Sequence, residues 1–348
     1  MKRVLIEMEK LKNPNSGLGQ FCMNLGEQLQ HADTKDLELD LYLPSNLKGA
    51  FGDGFHYVSH TALHKLLPLK SDKYALWHCL QQDSHYLPTD TNTKLILTIH
   101  DLNFLEKYKG AKQKRKLNSL QKRVNRASAI TVISKFTEAM VRENLVLGDK
   151  PVHVIYNGNS LKISQDAVSP DLSAYGDYFF SIGIISPKKN FHVLLPLLQH
   201  FQSMNLVIAG NNDSDYAKQL IATAQQMNVS SRLHLIGNID ENEKYHFYKN
   251  CKAFVFPSLT EGFGLPVVEA MSLGKPVFLS NLTSLPEVGG PEAYYFKGFE
   301  PQQMIETVES GLSDFENDHE KSQRIMAWSK QFSWENAAKA YLGLYRSI

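Results

Sequence analysis

Short apolar runs alternate with amphipathic, helix-length stretches along this chain, and the alternation pauses once and then restarts. In the first half, Val4-Leu5-Ile6, Leu39-Asp-Leu-Tyr-Leu43, Leu95-Ile-Leu-Thr-Ile99, Ala129-Ile-Thr-Val-Ile133 and Val152-His-Val-Ile-Tyr156 read as buried strands. Residues 19–30, 112–126 and 135–144 have the length and spacing of helices between them. A polar stretch over residues 159–177, with Pro170 and few large apolar side chains, reads as a linker. The second half repeats the rhythm with Tyr178-Phe-Phe-Ser-Ile182, Asn205-Leu-Val-Ile-Ala209, Arg232-Leu-His-Leu-Ile236, Ala253-Phe-Val-Phe256 and Pro276-Val-Phe-Leu279. Helices are expected there over residues 191–201, 216–227, 241–249 and 266–272. Such alternation predicts parallel sheets covered on both faces. The expected fold is therefore α/β, with two doubly wound, Rossmann-like domains over residues 1–160 and 178–330 facing a deep cleft. Residues 161–177 join them, and an amphipathic helix over 331–348 closes the chain, with packing toward the first domain as one option. Ligands of such folds bind outside the carboxyl ends of the strands.

Composition narrows the function. The chain has 348 residues, with 37 Lys+Arg against 36 Asp+Glu. Between positions 107 and 126 lie nine basic residues (Lys107, Lys109, Lys112, Lys114, Arg115, Lys116, Lys122, Arg123, Arg126) and no acid. Setting those nine aside leaves 28 bases against 36 acids, a net of −8. A nucleic-acid binder is more often basic over a whole domain, so nucleic acid is not an expected partner. The basic stripe reads either as a solvated helix or as a patch for an anionic membrane surface. No apolar run approaches the ~18 residues of a membrane span. Three scattered cysteines (Cys22, Cys79, Cys251) fit a reducing compartment better than a disulfide framework or a zinc site. The expected location is the cytoplasm, with peripheral contact at the inner face of the membrane as an option.

The most informative segment is Pro257-Ser-Leu-Thr-Glu261-Gly-Phe-Gly-Leu-Pro-Val-Val-Glu269-Ala-Met. A buried strand runs into a glycine-bearing turn, and Pro266 stands where a helix begins. Gly262 and Gly264 let backbone amides approach a ligand, and the new helix N-terminus favours an anion such as phosphate. Glu261 falls on the loop, and Glu269 about one turn inside the helix, roughly 4.5 Å along its axis from Pro266. Two carboxylates flanking a phosphate-binding turn suit the hydroxyls of a sugar nucleotide. In the plainer reading Glu261 supports a helix cap and Glu269 is an exposed helix residue.

This string, with its E-x7-E pair, resembles the signature of GT-B retaining glycosyltransferases of the family-4, or glycosyl transferases group 1, type. Phe180-Ser-Ile-Gly183-Ile-Ile-Ser-Pro187-Lys-Lys-Asn190 resembles the family's phosphate clamp, with Lys188 where Arg is usual. Val154-Ile-Tyr-Asn-Gly158 resembles its domain-linking turn, and Ser280-Asn-Leu-Thr-Ser-Leu-Pro-Glu287-Val288 its Pro-Glu-Val segment. The resemblance implies a first domain for the acceptor and a second for the nucleotide-sugar donor. It implies transfer with retention at the anomeric carbon and without a metal or a cofactor, the nucleoside-diphosphate sugar being a substrate. GDP-mannose and UDP-hexoses are both compatible, and the acceptor would be a glycan or a lipid-linked glycan.

Catalytic roles implied by the resemblance fall to His100, Glu261 and Lys189. Glu261 would hold the donor sugar, Glu269 the ribose, and His100 the sugar's hydroxyls. Lys188, Lys189 and the turn Gly262-Phe263-Gly264-Leu265 would surround the diphosphate, with Gly17, Gly19 and Gly183 approaching it and Gly237 and Asn238 beside the base. Plainer readings stand beside each: solvated lysines, a simple turn at Gly17-Leu-Gly19, and a packed His100. A dinucleotide fingerprint at Gly17 fails, because ten residues separate it from Ile6 and Cys22 occupies the third glycine position. His78 is a weaker candidate for the same cleft as His100. Asp213-Ser-Asp215 resembles a metal-binding D-x-D but reads better as a helix cap. An inactive nucleotide-sugar-binding relative, a sugar-nucleotide epimerase and a two-lobed sugar-binding protein are the alternatives.

Overall fold

The computed structural model describes residues 1–14, 16–162 and 169–348. The chain forms two compact units, one of residues 1–158 with 333–348, the other of residues 159–332. Part of the polar stretch expected as a linker, residues 163–168, lies outside the described residues.

In unit 1 the strands are β1 (Lys2–Glu7), β2 (Leu37–Pro44), β3 (His56–His60), β4 (Leu76–Cys79), β5 (Lys94–Ile99), β6 (Ala129–Val132) and β7 (Val152–Val154). They form one parallel sheet in the order β3-β2-β1-β4-β5-β6-β7. The helices are α1 (Gly17–His31), α2 (Phe104–Lys107), α3 (Gly110–Arg126) and α4 (Lys135–Asn144). Leu5, Trp77, Leu95, Leu97 and Ile130 of the strands pack with Leu120 and Val124 of α3 into the core on one face.

Unit 2 repeats the design with β8 (Tyr178–Ile182), β9 (Asn205–Ala209), β10 (Leu233–Gly237), β11 (Ala253–Phe256), β12 (Val277–Ser280) and β13 (Tyr294–Phe296). The order is β10-β9-β8-β11-β12-β13, again parallel throughout. Its helices are α5 (Leu195–His200), α6 (Asp215–Gln226), α7 (Glu241–Asn250), α8 (Leu265–Ser272), α9 (Leu285–Gly289), α10 (Pro301–Asn317) and α11 (Lys321–Ser329). The single helix expected over residues 191–201 is instead a 3-10 turn, Phe191–Leu194, followed by α5. Pro196 explains the break, since a proline inside a helix removes one donor and its ring clashes with the carbonyl four residues back. It is tolerated here in the first turn of α5.

The last helix, α12 (Trp334–Ser347), belongs to unit 1. Trp334 and Tyr341 meet Phe21 of α1 edge-on at 5.4 and 6.3 Å, and Arg346 forks onto Asp36 at 2.7 Å through both Nε and Nη2. Gly158 has no room for a Cβ, because the backbone N of Trp334 stands 2.0 Å from where it would be. Among the described residues no helix is long and apolar enough to cross a membrane. All three cysteines are free and buried.

Candidate donor site at the carboxyl edge of unit 2

Strand order places the functional residues. Chain order reverses between β8 and β11, and a doubly wound sheet opens a crevice at that switch, outside the strand ends. Two loops leave the sheet there, one after Ile182 and one after Phe256. Gly183 opens the first with φ +143°, a left-handed conformation that favours glycine, and donates its N–H to Ala209 at 2.9 Å. A Cβ on Gly183 would come 2.8 Å from Lys189 Cε, so the bare backbone makes room for that side chain.

The loops are laced together. Leu259 N–H donates to Lys188 O at 2.8 Å, and Lys189 Nζ donates to Glu261 Oε1 at 2.6 Å. Ser258 Oγ donates to the same carboxylate at 2.6 Å, and Lys189 Nζ stands 4.4 Å over the Phe256 ring. Both charges are largely withdrawn from water, with Lys189 8% exposed. Burial pushes the Glu261 carboxyl up, but Lys189, Lys188 and the hydrogen bonds outweigh it and hold it below the ordinary value. Burial likewise draws the Lys189 ammonium below its usual value, against the attraction of Glu261. Lys188 stays exposed beside them.

A second carboxylate, Glu269 on α8, is 5% exposed, so the plainer reading of it as a solvated helix residue does not hold. Lys244 Nζ of α7 donates to Oε1 at 3.1 Å and Tyr248 Oη to Oε2 at 2.9 Å. Burial raises the Glu269 carboxyl above its ordinary value despite Lys244. Lys244 and Tyr248 were not legible as site residues. The only signal was that an acid buried on a helix needs a cation, which names no partner.

Between these carboxylates lies the glycine turn. Gly264 is in the left-handed region at φ +109° and caps α8, placing Leu265 first and Pro266 second in the helix. Phe263 is buried and meets Phe332 edge-on at 5.5 Å. The turn is held from the loop between β12 and α9: Glu261 N–H donates to Thr283 Oγ1 at 3.1 Å, and Ser284 Oγ donates to the carbonyls of Glu261 and Phe263 at 3.1 and 2.8 Å. Three exposed apolar side chains, Ile184, Leu259 and Leu282, lie on the loops that follow β8, β11 and β12. Gly237 ends β10 at φ +75° with open space where a Cβ would be, and Asn238 is exposed beside it. Ser214, between Asp213 and Asp215, caps α6 by accepting the Ala217 N–H. Among the described residues no cluster of three or more His, Cys, Asp or Glu is placed to hold a metal ion.

The remaining candidates lie in unit 1. His100 follows β5, is 7% exposed, and places Nε2 2.7 Å from Leu80 O. Burial lowers its pKa, so the ring is neutral, carries its proton on Nε2 and leaves Nδ1 as an acceptor. Phe21 packs edge-on at 4.7 Å, and Thr137 Oγ1 holds the His100 carbonyl at 3.2 Å. Gly17 opens α1 beneath a Ser16 cap, with open space around it. Gly19 is buried, and a Cβ there would meet Asn13 O at 2.1 Å, so its own loop already accounts for it. His78 must be corrected. It is fully buried, its ring nitrogens lie 2.6 Å from Tyr345 Oη and 2.8 Å from Thr98 Oγ1, and it is core.

Two Rossmann-like parallel sheets, the second carrying a lysine–carboxylate clamp and a glycine turn at its switch point, define the GT-B class. Residues 170–328 match the family Glycosyl transferases group 1, and residues 52–162 match Glycosyltransferase Family 4. The chain belongs to the family-4-type GT-B glycosyltransferases. It is 30% identical over 269 residues to the "Serotype-specific mannosyltransferase WbdA" of Escherichia coli, covering 70% of this chain and 32% of that protein. The chain thus spans about a third of that relative's length. It is 25% identical over 389 residues to the "O-antigen chain mannosyltransferase B" of Escherichia coli, covering 99% of this chain and 100% of the relative. The fold matches the solved structure of Anabaena Alr3699/HepE in complex with UDP-glucose, with a TM-score of 0.77, 18% identity and full coverage of both chains.

Proposed function

We propose that this chain transfers a hexose, in the first instance mannose from GDP-mannose, to a hydroxyl of a growing surface glycan or its lipid-linked form, with retention at the anomeric carbon. The observation that carries this reading is the pair of carboxylates eight positions apart, partly buried Glu261 and buried Glu269, each held by its own lysine at the switch of unit 2. The choice of mannose is supported by the relatives, which are named as mannosyltransferases.

In the proposed reaction the bond from the anomeric carbon to the β-phosphate oxygen breaks, and its electron pair stays on that oxygen. Lys188 and Lys189, with the amides of Gly264 and Leu265, meet the negative charge that develops there, so they act on the transition state. The acceptor oxygen bonds to the anomeric carbon on the same face, and its proton passes to the departing phosphate oxygen. Glu261 holds the sugar's hydroxyls, Glu269 the ribose hydroxyls, and neutral His100 accepts from the sugar through Nδ1. Unit 1 binds the acceptor. With lysines and amides supplying the counter-charge, turnover needs no added metal ion.

Release of mannose or its transfer from GDP-mannose, followed by proton NMR of the anomeric centre, tests the reading. Glu261→Ala and Lys189→Ala are each expected to lower turnover by about 10²-fold or more, the loss typical of one transition-state contact, while thermal unfolding still reports a folded chain. Turnover should persist in EDTA. Full activity of either variant overturns the assignment. The absence of both turnover and any nucleoside-diphosphate-induced rise in melting temperature would favour the inactive binding relative instead. Free 2-epimerised sugar as the sole product would favour the epimerase.

A further inference from the structure

Helix α7 carries no recognisable motif, yet it sends two side chains to a single carboxylate on α8. Lys244 and Tyr248 stand four positions apart on α7, about one turn, and so share a face. Lys244 Nζ donates to Glu269 Oε1 at 3.1 Å, and Tyr248 Oη donates to Oε2 at 2.9 Å. Both donors are fixed in place. Asp240 and Glu243 close a capping box at the start of α7, which holds its first turn against fraying. The Tyr248 ring is fully buried, edge-on to Phe180 at 5.1 Å and 5.4 Å from Phe254. The Lys244 side chain is 12% exposed and also donates to Glu241 Oε1 at 3.0 Å.

The two carboxylates of the site receive their donors differently. At Glu261, Lys189 Nζ and Ser258 Oγ both donate to Oε1. At Glu269 the donors are split, one to each oxygen. An ionised carboxylate offers about four lone-pair sites, two per oxygen, so the split leaves an acceptor direction on each Glu269 oxygen. Two adjacent hydroxyls, one to each oxygen, match that arrangement. A protonated carboxyl would not, because one of its oxygens then donates. Burial pushes Glu269 toward protonation, and Lys244 leads the groups that oppose it. Burial draws the Lys244 ammonium down as well, but Glu269 and Glu241 outweigh it and hold it above its usual value. Burial and the neighbouring Glu269 hold the Tyr248 phenol well above its ordinary range, so it keeps its proton and donates. Helix α7 thus supplies both the charge that keeps Glu269 an acceptor and the geometry that aims it.

We propose that Lys244 and Tyr248 are positioning residues of the donor site, holding Glu269 with one acceptor direction on each oxygen for the adjacent 2′- and 3′-hydroxyls of a ribose. The site therefore takes ribonucleoside diphosphates and rejects their 2′-deoxy counterparts. This inference rests on the proposed function, in which Glu269 meets the ribose. It goes beyond that reading by assigning two residues of α7 to the site and by excluding a class of donors, the deoxythymidine-diphosphate sugars. A buried acceptor arranged for a hydroxyl is left unpaired by a ligand that lacks one, which is why such sites discriminate more sharply than apolar contacts do.

Calorimetric titration of the full chain with GDP and UDP, each beside its 2′-deoxy form, tests it. The ribonucleotide that binds is expected to bind at least about tenfold more tightly than its deoxy form. Tyr248→Phe keeps the buried ring and removes one donor, and Lys244→Met removes the charge. Each should weaken the ribonucleotide by about tenfold and its deoxy form by less, so the preference falls toward one. Lys244→Arg retains a cation and should keep most of the preference. The ribose takes no part in bond breaking, so donor KM should rise in both variants while kcat is largely kept. A merely loosened fold would weaken both nucleotides alike and leave their ratio intact. Equal binding of the two forms by the parent, or an unchanged ratio in either folded variant, overturns the inference and leaves the proposed function standing. Failure of every nucleoside diphosphate to bind the parent overturns the proposed function, and this inference with it.

Discussion

Glu7 is the residue whose environment least resembles its type. It ends β1, is 1% exposed, accepts the Glu9 N–H on Oε1 at 2.8 Å, and leaves Oε2 without a partner among the described residues. Burial pushes its carboxyl up to about 7, with the Glu9 amide and Ser84 opposing weakly. The native state therefore holds a proton that the unfolded chain releases above about 4.5. Stability falls as pH rises through the window from about 4.5 to 7, by about 3 kcal/mol in all, and is level above it. Glu7→Gln keeps the shape and removes the titration. The difference in melting temperature between variant and parent should move in the variant's favour as pH rises across that window, and a difference that does not vary with pH would refute the assignment. None of this was legible in the sequence, where Glu7 reads as the polar end of a strand. Glu261 and Glu269 were legible, because glycines and a proline at fixed offsets announce a turn into a helix. Their partners were only half so: Lys189 comes from a recognisable clamp, whereas Lys244 and Tyr248 come from a helix with no motif.

At the scale of elements, the loop from β12 into α9 holds the donor turn in place at a conformational cost. Thr283 has φ +57°, left-handed and unfavourable for a β-branched residue by about 1–2 kcal/mol, yet its hydroxyl accepts the Glu261 N–H. Strain kept beside a candidate sugar-binding carboxylate has a functional reading. Thr283→Gly relieves the backbone and loses the acceptor. Its melting temperature should be unchanged or higher while kcat/KM falls about tenfold, as expected for a loosened positioning contact worth about 1.4 kcal/mol. Thr283→Asn, which tolerates this backbone and keeps an acceptor, should recover most of the rate. Equal losses of stability and rate would mean that the loop serves folding alone. Periodicity exposed the long strands and helices, because burial on both faces leaves continuous apolar runs. It missed β3, β4 and β13, which are three to five residues long. Equally short β6, β11 and β12 were legible from their apolar runs, whereas β3 and β4 carry histidines and β13 is only partly buried, so pairing with neighbouring strands fixes them.

Across the whole molecule, the chain leaves unit 1, builds unit 2, and comes back to finish unit 1 with α12. That return was legible as an amphipathic helix, but its destination rests on contacts such as His78 with Tyr345, which lie 267 positions apart. Burial holds His78 neutral down to about pH 3, against an ordinary value near 6.5. The unfolded chain therefore binds a proton that the native state refuses, and stability falls as pH drops from about 6.5 toward 3, by about 4–5 kcal/mol in all. This slope opposes that of Glu7, so the two largely cancel between about pH 4.5 and 6.5. Unit 1 should be most stable there, losing stability to Glu7 above and to His78 below. Removing residues 333–348 strips Tyr345 from His78, Trp334 and Tyr341 from Phe21, and Arg346 from Asp36. Unit 2 loses none of its own core by that cut. Calorimetry of a chain ending at Phe332 should therefore show the unit 1 transition lost or lowered by more than ten degrees, as expected for several kcal/mol removed from a domain of this size. The unit 2 transition should persist and still rise with GDP, because the clamp of Lys189 and Glu261 is intact. Loss of both transitions together would show that the two units unfold as one, and that the returning helix stabilises the donor site as well as the unit it completes.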